Sequence, residues 1–208
     1  IRNITRTAKI NKKRIVFPEG HSSKVLKAIQ EIISEDICHP ILLGNPEYIN
    51  EKLEEYGLDL KGIEIIDPKS KDQKDHRKRF SEKYWSIRNR HGITKNESKR
   101  RVRDRNYFGS LMVEEGLADG MVSGVTRNYP ETLKPALEII GLQKNVKKVA
   151  GLYITLTNDG PIFFSDTTIN KLPTDQELID IILLTAKEVR RFGIKPVIAL
   201  LSYSNFGS

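Results

Sequence analysis

The chain has 208 residues, 35 Lys plus Arg against 27 Asp plus Glu, and a formal charge of +8. Its 38% apolar content is enough to bury a core in one large domain or two small ones. No run approaches the ~18 apolar residues of a spanning helix. Near-average Gly and Pro and recurrent apolar runs exclude collagen, coiled coil and outright disorder.

Arg14 to Phe17 (RIVF) reads as a buried strand closed by the Pro18-Glu19-Gly20 turn. Ser22 and Ser23 are candidate caps for a helix carrying Val25, Leu26, Ile29, Ile32 and Ile33 at helical spacing. Pro40 to Leu43 predicts a second strand. Asn45 as cap and Pro46 at the first helical position then open a helix that Gly57 closes. Ile63 to Ile66 predicts a third strand, stopped by Asp67-Pro68.

From Lys71 to Glu115 the pattern turns helical, with two or three helices broken at Gly92 and near Asn106. Thr94-x-x-Glu97 has capping-box spacing. Met121-Val122 returns to a strand, and a helix follows from about Pro130 to Ile140, stopped by Gly141. Val149 to Leu156 and Ile162 to Phe164 predict a hairpin around Asn158-Asp159-Gly160. Thr174-x-x-Glu177 opens a long helix ended by Gly193, and Val197 to Leu201 predicts a last strand. Alternating strands and helices imply an α/β layer architecture with parallel pairing. A boundary is expected between residues 141 and 148.

The charge is concentrated. Residues 71–105 hold 14 Lys or Arg and 5 Asp or Glu, more than the whole excess of the chain. Such a segment suits an anionic partner, or is simply a solvated helical face. Aromatic residues interleave with it only at Phe80, Tyr84, Trp85, Tyr107 and Phe108, and no nucleic-acid motif accompanies them, so neither nucleic acid nor a membrane is the expected partner. Cys38 is the only cysteine, which rules out an internal disulfide and suits a reducing cytoplasm. Four scattered histidines, His21, His39, His76 and His91, lack metal-ligand spacing and read as surface or packing residues, so no metal site is expected.

Neither GxxxxGK[ST] nor GxGxxG occurs. Two loops stand out instead. Ser123-Gly124-Val125-Thr126-Arg127 lies between a strand and a helix, where backbone N–H groups, hydroxyls, a helix start and a full positive charge meet. Lys134 is near enough to serve the same place. This is either a phosphate or carboxylate site or an ordinary turn with good cap residues. The second loop, Ser202-Tyr203-Ser204-Asn205-Phe206-Gly207-Ser208, also follows a predicted strand. In open parallel sheets ligands sit at the carboxyl ends of strands. Asp166-Thr167-Thr168-Ile169-Asn170 could form a third wall. No histidine is placed beside a serine, so triad chemistry has no support.

The segments RIVFPEG, HPILLGNPE, ADGMVSGVTRNYPETLKPAL, FFSDTTINKLPTDQEL and RRFGIKPVIALLSYSNFGS, in this order, resemble the phosphate acetyl/butyryl transferase family from about Arg14 to Ser208. SYSNFGS and FSDTTINKLPT look most like the C-terminal acyltransferase-like domain of multimodular NADP-dependent malic enzymes, and TRTAKINKKRIVFPEG like the joint to a preceding module. The resemblance implies a two-lobed, three-layer αβα fold of the isopropylmalate dehydrogenase-like kind. Residues 1–13 would be a linker, 14–145 a first α/β lobe and 146–208 a truncated second lobe. A chain that starts at Ile1 and stops at Ser208 just after an apolar run fits a piece of something longer.

The resemblance also implies acetyl-CoA and phosphate as ligands, held between lobes, and a homo-oligomer, dimer or larger. Arg88 in YWSIRNRHG matches a phosphate-binding arginine of the family. Lys134 stands where active transferases usually carry another arginine, so a point charge replaces a bidentate fork. Ser123, Gly124, Thr126 and Arg127, with Ser202, Ser204, Asn205 and Ser208, complete the expected ligand contacts. The family's catalytic Ser-Arg pair and aspartate come from a segment beyond SNFGS, so no catalytic residue is expected in this stretch. The expected role is acetyl-CoA binding as a regulator, with NADP and Mg or Mn serving malate decarboxylation elsewhere in the parent. The alternative is an active phosphate acetyltransferase.

Overall fold

The computed structural model describes residues 2–144 and 146–201 and divides the chain into two units, Ile1–Gly141 and Leu142–Ser208. In the first unit four parallel strands lie in the order β3-β2-β1-β4: β1 Arg14–Phe17, β2 His39–Leu43, β3 Glu64–Ile66 and β4 Gly120–Met121.

Period-two alternation sorts this sheet's side chains into two cores. Val16, Ile41 and Leu43 point to one face, where they meet Phe80, Tyr84, Phe108 and Leu111. Phe17 and Leu42 point to the other, against Val25, Leu26, Ile29, Ile49 and Leu53. Helices α2 Ser23–Ser34 and α3 Pro46–Glu55 supply the second face. α4 Lys74–Arg88, α6 Arg105–Glu114 and α7 Tyr129–Ile139 supply the first, with α5 Lys95–Arg101 packed on α4. The sheet is thus the middle of three layers. Full burial of each such apolar side chain is worth roughly 1.5–3 kcal/mol.

The start signals act as expected. Asn45 Oδ1 accepts from Tyr48 N at 3.1 Å, and Asn128 caps α7 in the same way. Gly57, Gly92 and Gly141 end their elements at positive φ, which glycine adopts without a steric penalty. Thr94 accepts from Glu97 N at 3.1 Å.

The residues expected to join a preceding module hold a helix, α1 Arg2–Ile10, tied to the turn after α2 by Lys9–Glu35 and Lys12–Asp36 ion pairs of 2.8 and 2.6 Å. Two expectations need correction. The hairpin of the second unit turns on Asn158 and Asp159 alone, because Gly160 already pairs with Thr157. Val197–Leu201 pairs with no strand among the described residues, and Val197 is 94% exposed. Its apolar side chains suit a strand, but a strand exists only where its N–H and C=O groups meet a neighbour.

The rest of the second unit is the antiparallel pair β5 Leu152–Thr157 and β6 Gly160–Ser165, then α8 Asp175–Arg191. Thr174 and Glu177 form a full capping box at the start of α8. Among the described residues no helix is long and apolar enough to cross a membrane.

Candidate anion-binding site

β1 leads to α2 on one face of the sheet, whereas β4 neighbours β1 but leads to α7 on the other. The chain therefore switches direction between β1 and β4, where open α/β sheets form ligand crevices at their carboxyl ends. The loops that leave these two strands meet there. Glu19, in the turn after β1, is 2% exposed. Its carboxylate accepts from the backbone N–H groups of Gly124, Val125 and Thr126 at 2.8, 2.9 and 2.5 Å, and from the Thr126 hydroxyl at 2.6 Å. Ser123 Oγ sits 3.2 Å from Asn106 Oδ1.

The loop is thus an anion cradle, as its sequence suggests, but its anion is part of the chain. Burial alone would raise the Glu19 pKa. The Thr126 hydroxyl and the three amides outweigh it and bring the value to about 2. Ser123, Gly124 and Thr126 consequently spend their best donors on Glu19 or its surroundings. In the second unit Asp166 does the same work. Its carboxylate accepts from the N–H groups of Gly151, Thr168, Ile169 and Asn170, so the stretch expected as a third wall folds around its own acid.

Beside the Glu19 clasp lies a cleft of about 800 Å³ at the carboxyl ends of β2 and β3. Gly44, Asn45 and Tyr48 bring the start of α3 to it. Lys69, Arg100, Arg103, Arg105 and Arg127 add five cations, against Asp67 and Asp104. Arg127 Nη2 bonds Asp104 Oδ2 at 2.6 Å, and the same aspartate caps α6 through Asn106 N at 2.9 Å. Arg105 Nη1 lies 2.8 Å from His21 Nδ1, which therefore accepts, leaving His21 neutral with its proton on Nε2.

The cleft is short of negative charge. Burial and the charge of Arg127 both lower the pKa of Arg105. Burial and Arg105 lower that of His21. An incoming phosphate would relieve the repulsion between the two guanidinium groups and take up donors in the geometry guanidinium favours.

The structure brings Arg127 to this cleft but not Arg88 or Lys134, neither of which lines it. Arg88 ends α4, and its buried Nε has no hydrogen-bond partner. Lys134 lies on α7 with its ammonium 4.0 Å from Glu138, whose carboxylate also accepts from Tyr84, Tyr107 and Arg101. Ser202, Ser204, Asn205 and Ser208 lie outside the described residues. Sequence reasoning missed Glu19, His21 and Arg105. The PEG turn after a buried strand was a signal for Glu19. Nothing local distinguishes Arg105 among fourteen cations.

A family model for phosphate acetyl/butaryl transferases matches residues 1–208. The chain belongs to this family. A phosphate acetyltransferase of Bacillus subtilis is 35% identical over 196 residues, covering 94% of the chain and 59% of that protein. An NADP-dependent malic enzyme of Haemophilus influenzae is 39% identical over 215 residues, covering the whole chain and 28% of that enzyme. The EutD phosphotransacetylase of Staphylococcus aureus superposes with a TM-score of 0.87 at 29% identity, over 99% of the chain and 61% of that structure. The chain thus spans about three fifths of the transferases and just over a quarter of the malic enzyme. The parallel sheet and flanking helices of the first unit are those of an α/β fold, the class in which the solved phosphotransacetylases match the chain.

Proposed function

We propose that the chain is a phosphotransacetylase-like domain that binds acetyl-CoA as a regulator within an NADP-dependent malic enzyme, whose remaining parts oxidatively decarboxylate malate to pyruvate. The observation that carries the binding reading is Arg105, which bonds His21 and has no carboxylate partner of its own among the described residues, in a cleft where five cations face two carboxylates, one of them already taken by Arg127. The module reading draws on the malic enzyme relative, which matches the chain end to end over a small fraction of its own length. Arg88 and Lys134 lie outside this cleft and are proposed, on the family resemblance, as contacts to another phosphate of the ligand. Lys134 is already partly neutralised by Glu138, which suits binding more than transition-state stabilisation.

Among the described residues no three His, Cys, Asp or Glu side chains are arranged to hold a metal ion. In this reading the divalent metal and the NADP serve the remaining parts of the parent, and no residue of the chain is proposed to hold them. A homo-oligomer, dimer or larger, in a reducing cytoplasm is part of the proposal, the second point supported by the single cysteine.

The second reading, an active transferase, rests on the fold likeness to phosphotransacetylases. There the thiolate of CoA attacks the acyl carbon of acetyl phosphate, the new S–C bond replacing the C–O bond to phosphate. Two assays on the whole protein separate the readings. Malate-dependent NADPH formation that responds to acetyl-CoA, without acetyl phosphate synthesis, supports the regulator. Ordinary turnover of acetyl-CoA and phosphate to acetyl phosphate overturns it. By calorimetry, Arg88→Ala is expected to weaken acetyl-CoA binding by about 1.5–3 kcal/mol, the range for a charge-assisted hydrogen bond. An unchanged affinity removes Arg88 from the site.

A further inference from the structure

Helix α4 uses its two sides differently. On one, Arg79 pairs with Glu115 at 3.3 Å and Lys83 with Glu114 at 3.3 Å. On the other, Lys74 and Lys78 face α5 across a groove of about 560 Å³, and Lys95, Lys99 and Arg103 line its opposite wall. None of these five cations has an ion-pair partner among the described residues. Lys74 and Lys78 stand four residues apart, as do Lys95 and Lys99, spacings at which like charges on a helix repel. Glu82 is the only acid lining the groove, and Arg77 is committed to the carbonyls of Pro68 and Ser70. Within the groove this charge meets a single acid, and a polyanionic ligand would neutralise it.

Trp85 lies in the same groove and defines what that ligand is. Its ring is half-buried, and the Lys95 ammonium rests 4.8 Å from the ring centroid. A flat base can replace Lys95 on that face, freeing the ammonium to join a phosphate. One aromatic platform beside several unpaired cations suits one base and its phosphates, and the volume falls in the range of small-molecule sites. We propose that the α4–α5 groove is a binding site for a nucleoside polyphosphate, separate from the strand-end cleft, with the base on Trp85 and the phosphates between Lys78 and Lys99. Arg103 lines both cavities and offers a physical link between the two ligands.

Trp85 is the only tryptophan in the chain, so its fluorescence reports on this groove directly. Titration of the 208-residue chain with ATP is expected to quench it saturably. Inorganic tripolyphosphate should reverse the quenching by competing for the lysines. Charge reversal at two exposed positions, Lys78→Glu with Lys99→Glu, is expected to weaken ATP at least tenfold and to leave acetyl-CoA affinity unchanged. Should that variant fail to fold, Lys95→Gln with Lys99→Gln is expected to weaken ATP in the same assay. Absence of saturable quenching overturns the proposal. So does one-for-one displacement of ATP by acetyl-CoA, which would make the groove part of the acetyl-CoA site. Tighter binding of a single-stranded oligonucleotide than of ATP would also overturn it, in favour of nucleic acid. The ATP titration keeps its meaning even if the chain binds no acetyl-CoA, so the two readings fail independently.

Discussion

Glu19 and Thr126 are 107 residues apart in sequence, yet one carboxylate oxygen of Glu19 accepts from both the backbone N–H and the hydroxyl of Thr126, at 2.5 and 2.6 Å. Through these bonds the turn after β1 fixes the start of the segment that carries Arg127 into the cleft. Glu19 is a positioning residue in this arrangement, because its carboxylate is taken up by the loop it holds.

The consequence is measurable. With a pKa of about 2 against an ordinary 4.5, ionised Glu19 contributes about 3 kcal/mol at roughly 1.4 kcal/mol per pKa unit. A lowered carboxyl pKa gives stability that is present above the unfolded-state value and lost as pH falls through the folded one. Glu19→Gln keeps the shape and removes the charge, so it should cost about that much at pH 7. Denaturant unfolding followed by Trp85 fluorescence checks this. The gap between wild type and variant should close between pH 4.5 and pH 2. A gap below about 0.5 kcal/mol at pH 7 would show that the clasp is not stabilising.

His21 offers a second pH test, inside the cleft. It accepts from Arg105, so protonation would set two positive donors against each other. Burial and Arg105 both hold its pKa below the ordinary 6.5. Neutral His21 thus adds stability that is full above pH 6.5 and fades as pH falls below it. Ring-proton NMR should place its midpoint below 6.5, and Arg105→Gln should raise it. Added inorganic phosphate should also raise it if the cleft binds anions. A midpoint at or above 6.5 in the unliganded protein would remove the His21–Arg105 bond.

A third test addresses how α7 is held. Tyr84, Tyr107 and Arg101 all bond Glu138 Oε2, at 2.7, 2.8 and 3.0 Å. Burial raises the pKa of Glu138, but the two hydroxyls and the Arg101 charge bring it below the ordinary range. Hydrogen bonding to Glu138 and burial push Tyr107 up to about 12. Glu138→Ala leaves a guanidinium and two hydroxyls short of their shared acceptor, and should destabilise by about 2–4 kcal/mol. Tyr84→Phe removes one donor and should cost about 1 kcal/mol. The double variant should cost less than the sum, because both changes act on one network. Additive losses would mean that the contacts are independent.

Elements were legible in the sequence where punctuation and periodicity agreed. RIVF followed by Pro-Glu-Gly, Asn45-Pro46 and Thr174-x-x-Glu177 each state a start or stop in local chemistry, and each stands where expected. Val197–Leu201 was not legible, because pairing depends on a neighbouring strand and not on the run itself. The site was legible in kind only. Ser123-Gly124-Thr126 announced an anion cradle, but whether the anion is a ligand or a distant glutamate is decided by the approach of two loops. Among fourteen cations in 71–105, helix phase separates Arg79 and Lys83, which are paired, from Lys74 and Lys78, which are not. That separation appears only once the neighbouring helices are placed.

The last prediction concerns Gly109, where α6 crosses the sheet. A Cβ built there would lie 2.9 Å from Met121 Sδ and 3.1 Å from Val16 Cγ1. The side chain of Met121 can shift, but Val16 is fully buried in β1 and cannot retreat far. In an exposed helix Gly→Ala would stabilise, by up to about 1 kcal/mol, because alanine is the better helix former. Overpacking a filled core typically costs about 1–3 kcal/mol. The second effect wins here, because α6 must move off β1 and β4 to admit the methyl group. Gly109→Ala is therefore expected to destabilise by about 1–2 kcal/mol in denaturant unfolding. Because α6 begins with Arg105 and is capped by Asp104, the same displacement should weaken anion binding in the cleft. Met121→Ala beside it should recover part of the stability, since it clears the nearest atom. A Gly109→Ala protein as stable as wild type would show that α6 does not lie against the sheet as closely as this contact requires.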